Sequence, residues 1–490
     1  MQFIRVGFSI IVIATLGNNS FTLANELESF TSVSQLKEIQ VTDWEYQTLQ
    51  SLTQSYDCAT EFDKSNNSFL TRYDFALALN NCLEQIETLK SPKDLIRLQK
   101  LQQEFAQELA FFNTKIDNLE TRFNQLKSQQ FSSTTKLEGQ VLFFAADSFG
   151  GEEDNSQLFS GYRIRLDFNT SFSGRDALKV RLESREVGRL DDVTDTFLSR
   201  LSVDGNSDDR VEASEIAYGF PLGESTEIFL GTAGVGLNDV GEVLNPFSSS
   251  SRGAVSRFGR RDPATLRGPG GAGVGIKYKF NEQISASAGY LIDSGDAASP
   301  QGEKGLFNSS ASAIAQLVIK PEKDLALALI YTHTYQPKDE VRLMGATGLE
   351  DANEPFADNA TTSDNFGLQF NWEINSGLEI GGWFGYTQAK QQEDGDDSAT
   401  ILNGALTFAF PNLGAENNIG GIIIGVPPVI TNHDDSSLIT QEFPMHIEAL
   451  YRIELSKNIE ITPGVFAIIN PESNNGHTLW VGTVRTLFSF

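Results

Sequence analysis

The stretch Tyr162-Arg163-Ile164-Arg165-Leu166-Asp167-Phe168-Asn169 alternates apolar and polar residues without a break. Successive side chains of a strand point to opposite faces, so Tyr162, Ile164, Leu166 and Phe168 share one face and Arg163, Arg165, Asp167 and Asn169 the other. The pattern returns along the chain. Leu178, Val180 and Leu182 oppose Lys179, Arg181, Glu183 and Arg185; Phe366, Leu368, Phe370, Trp372 and Ile374 oppose Gln369, Asn371 and Glu373. Met445, Ile447, Ala449, Tyr451, Ile453 and Leu455 oppose His446, Glu448, Arg452 and Glu454. A soluble sandwich also alternates, but these strands run to about ten residues or more, the length that crosses a bilayer at a tilt. Their apolar faces end in aromatics, as interface girdles do. The charged faces suit a water-filled lumen and not a packed core. The expectation for residues 131–490 is a transmembrane antiparallel β-barrel of roughly 16 strands, a size that leaves an aqueous channel.

Composition agrees. The chain has 490 residues, 37 Lys+Arg against 65 Asp+Glu, and a net charge of −28, which argues against a nucleic-acid partner. With 2 Cys and 4 His there is no disulfide scaffold and no basis for a zinc site. No metal and no cofactor is implied. Mean hydropathy of −0.23 excludes a bundle of membrane helices. Residues 1–24 read as a secretory signal, with Arg5, the apolar stretch Val6–Leu16 and the small-residue site Thr22-Leu23-Ala24.

Residues 25–90 read as a small helical domain. Trp44, Leu49, Leu52 and Tyr56 fall on one helical face, with Thr42 or Asp43 to cap it. Thr71 suits a second N-cap with Asp74 as its capping-box acid, and Phe75, Leu79, Leu83 and Ile86 continue the apolar face. Cys58 and Cys82 are the only cysteines; a disulfide suits an oxidising compartment, and two buried thiols are the alternative. Residues 91–130 read as a coiled-coil stalk opened by Ser91-Pro92. Leu98, Leu101, Phe105, Leu109, Phe112, Ile116, Leu119, Phe123 and Leu126 follow an a/d heptad with a stutter at Phe105. So narrow a stripe needs partners, and several Phe at core positions suit a homotrimer; a helix packed on its own domain is the alternative.

The run Asp43-Trp44-Glu45-Tyr46, continued by Leu49 and Leu52 and followed by Leu70-Thr71-Arg72-Tyr73-Asp74-Phe75-Ala76, resembles an S-layer homology (SLH) domain, in the single copy found at the N-terminus of cyanobacterial outer-membrane porins. That resemblance implies binding to peptidoglycan-linked polysaccharide through Trp44, Thr71, Arg72 and Tyr73. Thr60–Asn67 stands where the family usually has Gly-Tyr-Pro-Asp-Gly. The barrel region resembles carbohydrate-selective (OprB-type) porins through Thr135–Phe144 and Ser256-Arg-Phe-Gly-Arg-Arg-Asp-Pro263. This resemblance implies an outer-membrane barrel, its N-terminal domain in the periplasm, touching outer-membrane lipid and lipopolysaccharide. The terminal Phe490 is then the mark read by the insertion machinery. Such families also include proteins described as iron uptake porins.

Residues 232–270 form the longest non-strand segment, and a long loop in a compact domain is usually functional. In porins one such loop narrows the lumen. Arg257, Arg260 and Arg261 are the expected constriction, with guanidinium forks for sugar hydroxyls or oxyanions; pairing with loop acids or lipopolysaccharide is the alternative. Arg163, Arg165, Asp167, Arg181, Glu183 and Arg185 are expected to face the lumen and set a transverse field. Acidic loops such as Glu393–Asp397 and Asp434-Asp435 could recruit cations to the mouth. Gly268-Pro-Gly-Gly-Ala-Gly273 precedes a strand, not a helix, so it is no phosphate loop. No enzyme motif stands out. The reading is a passive channel for small hydrophilic solutes, tethered to the cell wall. Its rivals are a tether with a nearly closed pore and a selective iron or inorganic-ion channel.

Overall fold

The computed structural model describes residues 38–56, 58, 69–85, 91–110, 134–151, 156–302, 304–393, 395–471 and 477–490. It divides into two units, residues 1–130 and 131–490.

In the second unit sixteen antiparallel strands close into a barrel. In chain order they are β1 (Thr135–Phe149), β2 (Phe159–Thr170), β3 (Ala177–Val187), β4 (Glu212–Leu222), β5 (Thr226–Val235) and β6 (Gly271–Lys279). Then come β7 (Ile284–Asp293), β8 (Ala311–Glu322), β9 (Leu325–Gln336), β10 (Thr361–Asn375) and β11 (Leu378–Gln391). The last are β12 (Ser398–Pro411), β13 (Ile419–His433), β14 (Met445–Ser456), β15 (Ile459–Ile469) and β16 (Thr478–Ser489). The barrel closes by pairing β16 with β1, from Trp480 opposite Phe149 to Ser489 opposite Gln140. Phe490 extends this seam: its N–H donates to the Gly139 carbonyl at 3.0 Å and its carbonyl accepts from the Gly139 N–H at 2.7 Å. A side chain at Gly139 would collide with the Phe490 ring. Alternation sends Phe143, Ile164, Phe366, Leu368, Trp372 and Phe384 outward, where they stay exposed as an apolar band.

Connections alternate in length. At one end β8–β9, β10–β11 and β14–β15 are joined by two residues each. The turn between β2 and β3 is closed by the Asp176 carboxylate, which accepts from the Phe172 and Ser173 amides, the Ser171 and Ser173 hydroxyls and the Tyr218 hydroxyl. Thr135 and Phe490 both lie at this end. The opposite end carries the long connections 188–211, 236–270 and 337–360.

Those three connections fold inward. Leu190, Leu198, Leu201 and Val203 of the first, with Phe247, Val255 and Phe258 of the second, pack on inward-facing Leu142, Phe144, Trp383, Ile423, Leu450 and Phe466. Here the structure corrects the expectation of a charged lumen throughout: part of it is a packed core. The cause is local, because wall segments such as Ile422-Ile423-Ile424 are apolar on both faces, and burying one such side chain stabilises by roughly 1.5–3 kcal/mol. Val341, Leu343 and Met344 of the third connection pack on Ala389, Ala399 and Ile401.

In the first unit α1 (Trp44–Tyr56), α2 (Arg72–Gln85) and α3 (Pro92–Glu104) pack around Tyr46, Leu49, Leu52, Phe75, Leu79, Leu98, Leu101 and Phe105. Thr71 and Asp74 cap α2: the Thr71 hydroxyl donates to the Asp74 carboxylate at 2.6 Å and accepts from the Asp74 N–H at 3.2 Å. Ser91 caps α3, with Pro92 in its first turn. Leu98, Leu101 and Phe105 are spent on this core, and α3 is interrupted at Phe105, where the heptad stutters. Residues 1–24, Thr60–Asn67 and the heptad positions from Phe112 to Leu126 lie outside the described residues. Among the described residues no helix is long and apolar enough to cross a membrane.

Candidate functional site

The β2–β3 register decides the electrostatics of one wall. Arg165 sits opposite Glu183, and Asp167 opposite Arg181. Arg165 pairs with Glu183; Arg181 binds Asp167 with two nitrogens, at 2.6 and 2.9 Å, and reaches Glu215 on β4 at 2.8 Å. Arg185 reaches Glu183 at 3.4 Å. Arg163 faces Arg185, a like charge, and turns instead to the loop, donating to Ser250 and Ser251 at 3.1 and 2.8 Å. The six residues therefore form one contiguous patch in which every member but Arg163 has an oppositely charged partner.

The segment 236–270 circles the interior and is stapled to the wall as it goes. The Glu242 N–H donates to Gln316 on β8 at 2.6 Å and the Leu244 N–H to Gln369 on β10 at 3.0 Å. The Val255 N–H and the Ser256 hydroxyl donate to the fully buried Glu448 carboxylate on β14. Arg252 pairs with Glu460 on β15 at 2.7 Å. Arg485 on β16, wholly buried, donates to the carbonyls of Ser250, Gly253 and Ala254. The Asp262 carboxylate accepts from the Ala264 N–H and Thr265 hydroxyl and starts a helical turn at Pro263.

Of the three expected constriction arginines, two come together on the open lumen. Arg260 and Arg261 line a cavity of about 1250 Å3 that reaches the short-turn end at Arg175, Glu224 and Glu282. Arg260 donates to the Ser248 carbonyl at 2.9 Å, and Arg261 to the Asn238 amide oxygen. Arg257 is displaced from the expected role: it donates to the Gly345 carbonyl at 2.8 Å and to Thr347, tying 236–270 to 337–360. Glu448 and Arg485, which carry the loop, are not singled out by the sequence: Glu448 is one of a polar face with His446, Arg452 and Glu454, and Arg485 is a lone charge beside inward Leu479, Val481 and Leu487.

In the helical unit Trp44 lies partly packed on the core, with the Lys100 ammonium 4.0 Å from its ring centroid. Thr71 is occupied as a cap. Arg72 binds Glu108 at 2.8 Å and the Glu104 carbonyl at 2.9 Å, with its guanidinium 4.3 Å from the Phe105 ring centroid, so it joins α2 to α3. Tyr73 is half-buried. Cys58 and Cys82 are buried and disulfide-bonded, Cα atoms 4.7 Å apart. Among the described residues no cluster of three or more His, Cys, Asp or Glu is arranged to hold a metal.

The model of the carbohydrate-selective porin family, OprB, matches residues 92–490. The chain belongs to the OprB family of carbohydrate-selective porins. This porin is 35% identical over 509 residues to an uncharacterized protein of Synechocystis sp., covering 96% of this chain and 92% of that one. It is 32% identical over 505 residues to an uncharacterized protein of Nostoc sp., covering 95% and 86%. Among solved structures, OprB of Pseudomonas putida at high pH aligns with a TM-score of 0.53 at 11% identity, covering 76% of this chain and 96% of that one, a likeness of fold. The porin is thus an outer-membrane channel, and barrels of this kind carry their short turns on the periplasmic side and their long loops outside.

Proposed function

We propose that this porin passes small hydrophilic solutes, sugars or inorganic ions, by passive diffusion. The observation that carries this is the polar cavity running from the short-turn end to Arg260 and Arg261 on the inward segment 236–270. Reconstituted in a planar bilayer, the protein is expected to give stepwise conductance, with block by the solute class it carries. A second reading, a nearly closed pore, is favoured by the apolar core that three connections build inside the barrel. Conductance far below the nanosiemens range from correctly folded protein would select it.

The helical unit is the cell-wall tether in this reading. The chain enters β1 at the short-turn end, which supports a periplasmic position for everything before Thr135, and the SLH-like residues Trp44, Thr71 and Tyr73 are the candidate polysaccharide contacts, with Arg72 in a supporting place. The assembly is a homotrimer, its outer rim against lipid and lipopolysaccharide, and Phe490 at the seam is the mark for insertion. Protein lacking residues 25–90 is expected to conduct as before and to lose sedimentation with purified cell wall. Unchanged sedimentation would remove the tether.

A further inference from the structure

We infer that the inner cavity of the lumen holds a binding site for a doubly charged, phosphate-class oxyanion, free or as the ester of a sugar; this deepens the reading of the barrel as a diffusion channel. The chain carries a net charge of −28, yet the cavity is lined by eight basic and four acidic side chains. Glu242 pairs with Lys320 and Glu282 with Lys279, while Arg165 and Arg181 pair with Glu183, Asp167 and Glu215 on the wall, so that among the described residues Arg175, Arg260, Arg261 and Lys277 stand without an ion pair against Glu224 and Glu227. At its deep end four guanidiniums converge on the serine run Ser248–Ser251. Arg163 and Arg165 both donate to the Ser250 hydroxyl, at 3.1 and 3.3 Å. Arg260 donates to the Ser248 carbonyl at 2.9 Å and Arg485 to the Ser250 carbonyl at 3.1 Å.

Only Arg165 of the four has a carboxylate within 4.0 Å among the described residues. Arg163 and Arg485 are each 2% exposed or less, so this uncompensated charge is removed from bulk water and held by neutral oxygens alone. The Ser250 oxygen takes N–H groups on both its lone pairs, which leaves its own O–H to donate, and Ser250 lines the cavity. Arg261 adds a buried Nε with no partner. Planar guanidinium forks with a hydroxyl donor match the several acceptor oxygens of a tetrahedral oxyanion better than they match a halide or a neutral sugar. Arg165, Arg260, Arg261 and Ser250 line the cavity beside the buried Arg163 and Arg485, and this fixed group makes the site a stop along the path, which is how a channel selects without closing.

The test uses the full chain in a planar bilayer and in detergent. In a KCl gradient the reversal potential is expected to show anions preferred over cations at least about threefold. Inorganic phosphate, added on the short-turn side, is expected to reduce chloride current where glucose does not. Arg260→Gln and Arg261→Gln, each checked for barrel folding by unheated gel mobility, are expected to raise the half-blocking phosphate concentration about tenfold. Stronger block by glucose 6-phosphate than by phosphate identifies the sugar ester as the ligand, and equal or weaker block the free ion. Calorimetric titration of the detergent-solubilised protein with inorganic phosphate reads the site without needing current. Absent conductance with phosphate binding retained would overturn the channel reading and leave the site standing. Good conductance with cation preference, no phosphate block and no calorimetric binding would overturn the site and leave the channel.

Discussion

Asp176 shows how one residue fixes a turn of this barrel. Hydrogen bonds from the Ser173 hydroxyl first, then from the Ser173 amide, Tyr218 and Ser171, hold its carboxyl well below the usual carboxylate range. A depressed folded value means the stabilisation is present above the unfolded value of about 3.9 and is lost as pH falls toward the folded one. Asp176→Asn is therefore expected to lower the melting temperature at pH 7 and to lower it by a smaller amount near pH 2, where part of the charge-linked stabilisation is lost; an equal deficit at both would show that geometry, not charge, is at work. Gly464 is the other kind of constraint. A Cβ there would stand 2.7 Å from Val255 Cγ1, so Gly464→Val is expected to lift the constriction loop off β15 and raise single-channel current noise. The sequence shows that arginines crowd 257–261, but not which of them reach solvent. Arg257 and Arg260 differ by three positions, and only tertiary placement sends one to Gly345 and the other to the cavity.

The segment 236–270 behaves as a tightened belt because its backbone donors end on wall side chains. Glu448 takes two backbone N–H groups and a hydroxyl, and each hydrogen bond to a charged group is worth roughly 1.5–3 kcal/mol. Glu448→Gln, of the same size, is expected to free residues 253–259 and give larger, noisier conductance steps; a trace identical to the parent would show that Arg485, the Arg252–Glu460 pair, the Arg257 bonds and the apolar packing hold the segment without it. The disulfide closes a span of 24 residues between α1 and α2, worth about 3 kcal/mol in chain entropy. Reduction is expected to expose residues 38–110 to protease while barrel mobility on an unheated gel is unchanged. Helix starts were legible from Thr71, Asp74 and Ser91-Pro92, because caps are local chemistry. The use of Leu98, Leu101 and Phe105 was not: a heptad stripe looks the same whether its partner is another chain or the neighbouring helix.

In the barrel, paired acids gather in the long connections. Asp191-Asp192, Asp208-Asp209, Glu350-Asp351 and Asp434-Asp435 lie on the long-loop side, and the arginine- and lysine-lined cavity on the other. Current through a single inserted orientation is expected to rectify at 0.1 M KCl and to straighten at 1 M, where screening shrinks to about 3 Å. Rectification unaffected by salt would point to a moving part. The strand number was legible because alternation and strand length are set by the bilayer. The filling of the lumen was not, because it depends on which wall segments are apolar on both faces, and single strands such as Ile422-Ile423-Ile424 do not announce their inner neighbour. One consequence concerns engineering. The inward belt is keyed to Gln316, Gln369, Glu448, Glu460 and Arg485 on five strands, so it cannot be grafted alone. A transplant of residues 236–270 into another sixteen-stranded scaffold would arrive without its moorings, and would have to carry those five wall positions and the vacancy at Gly464 with it.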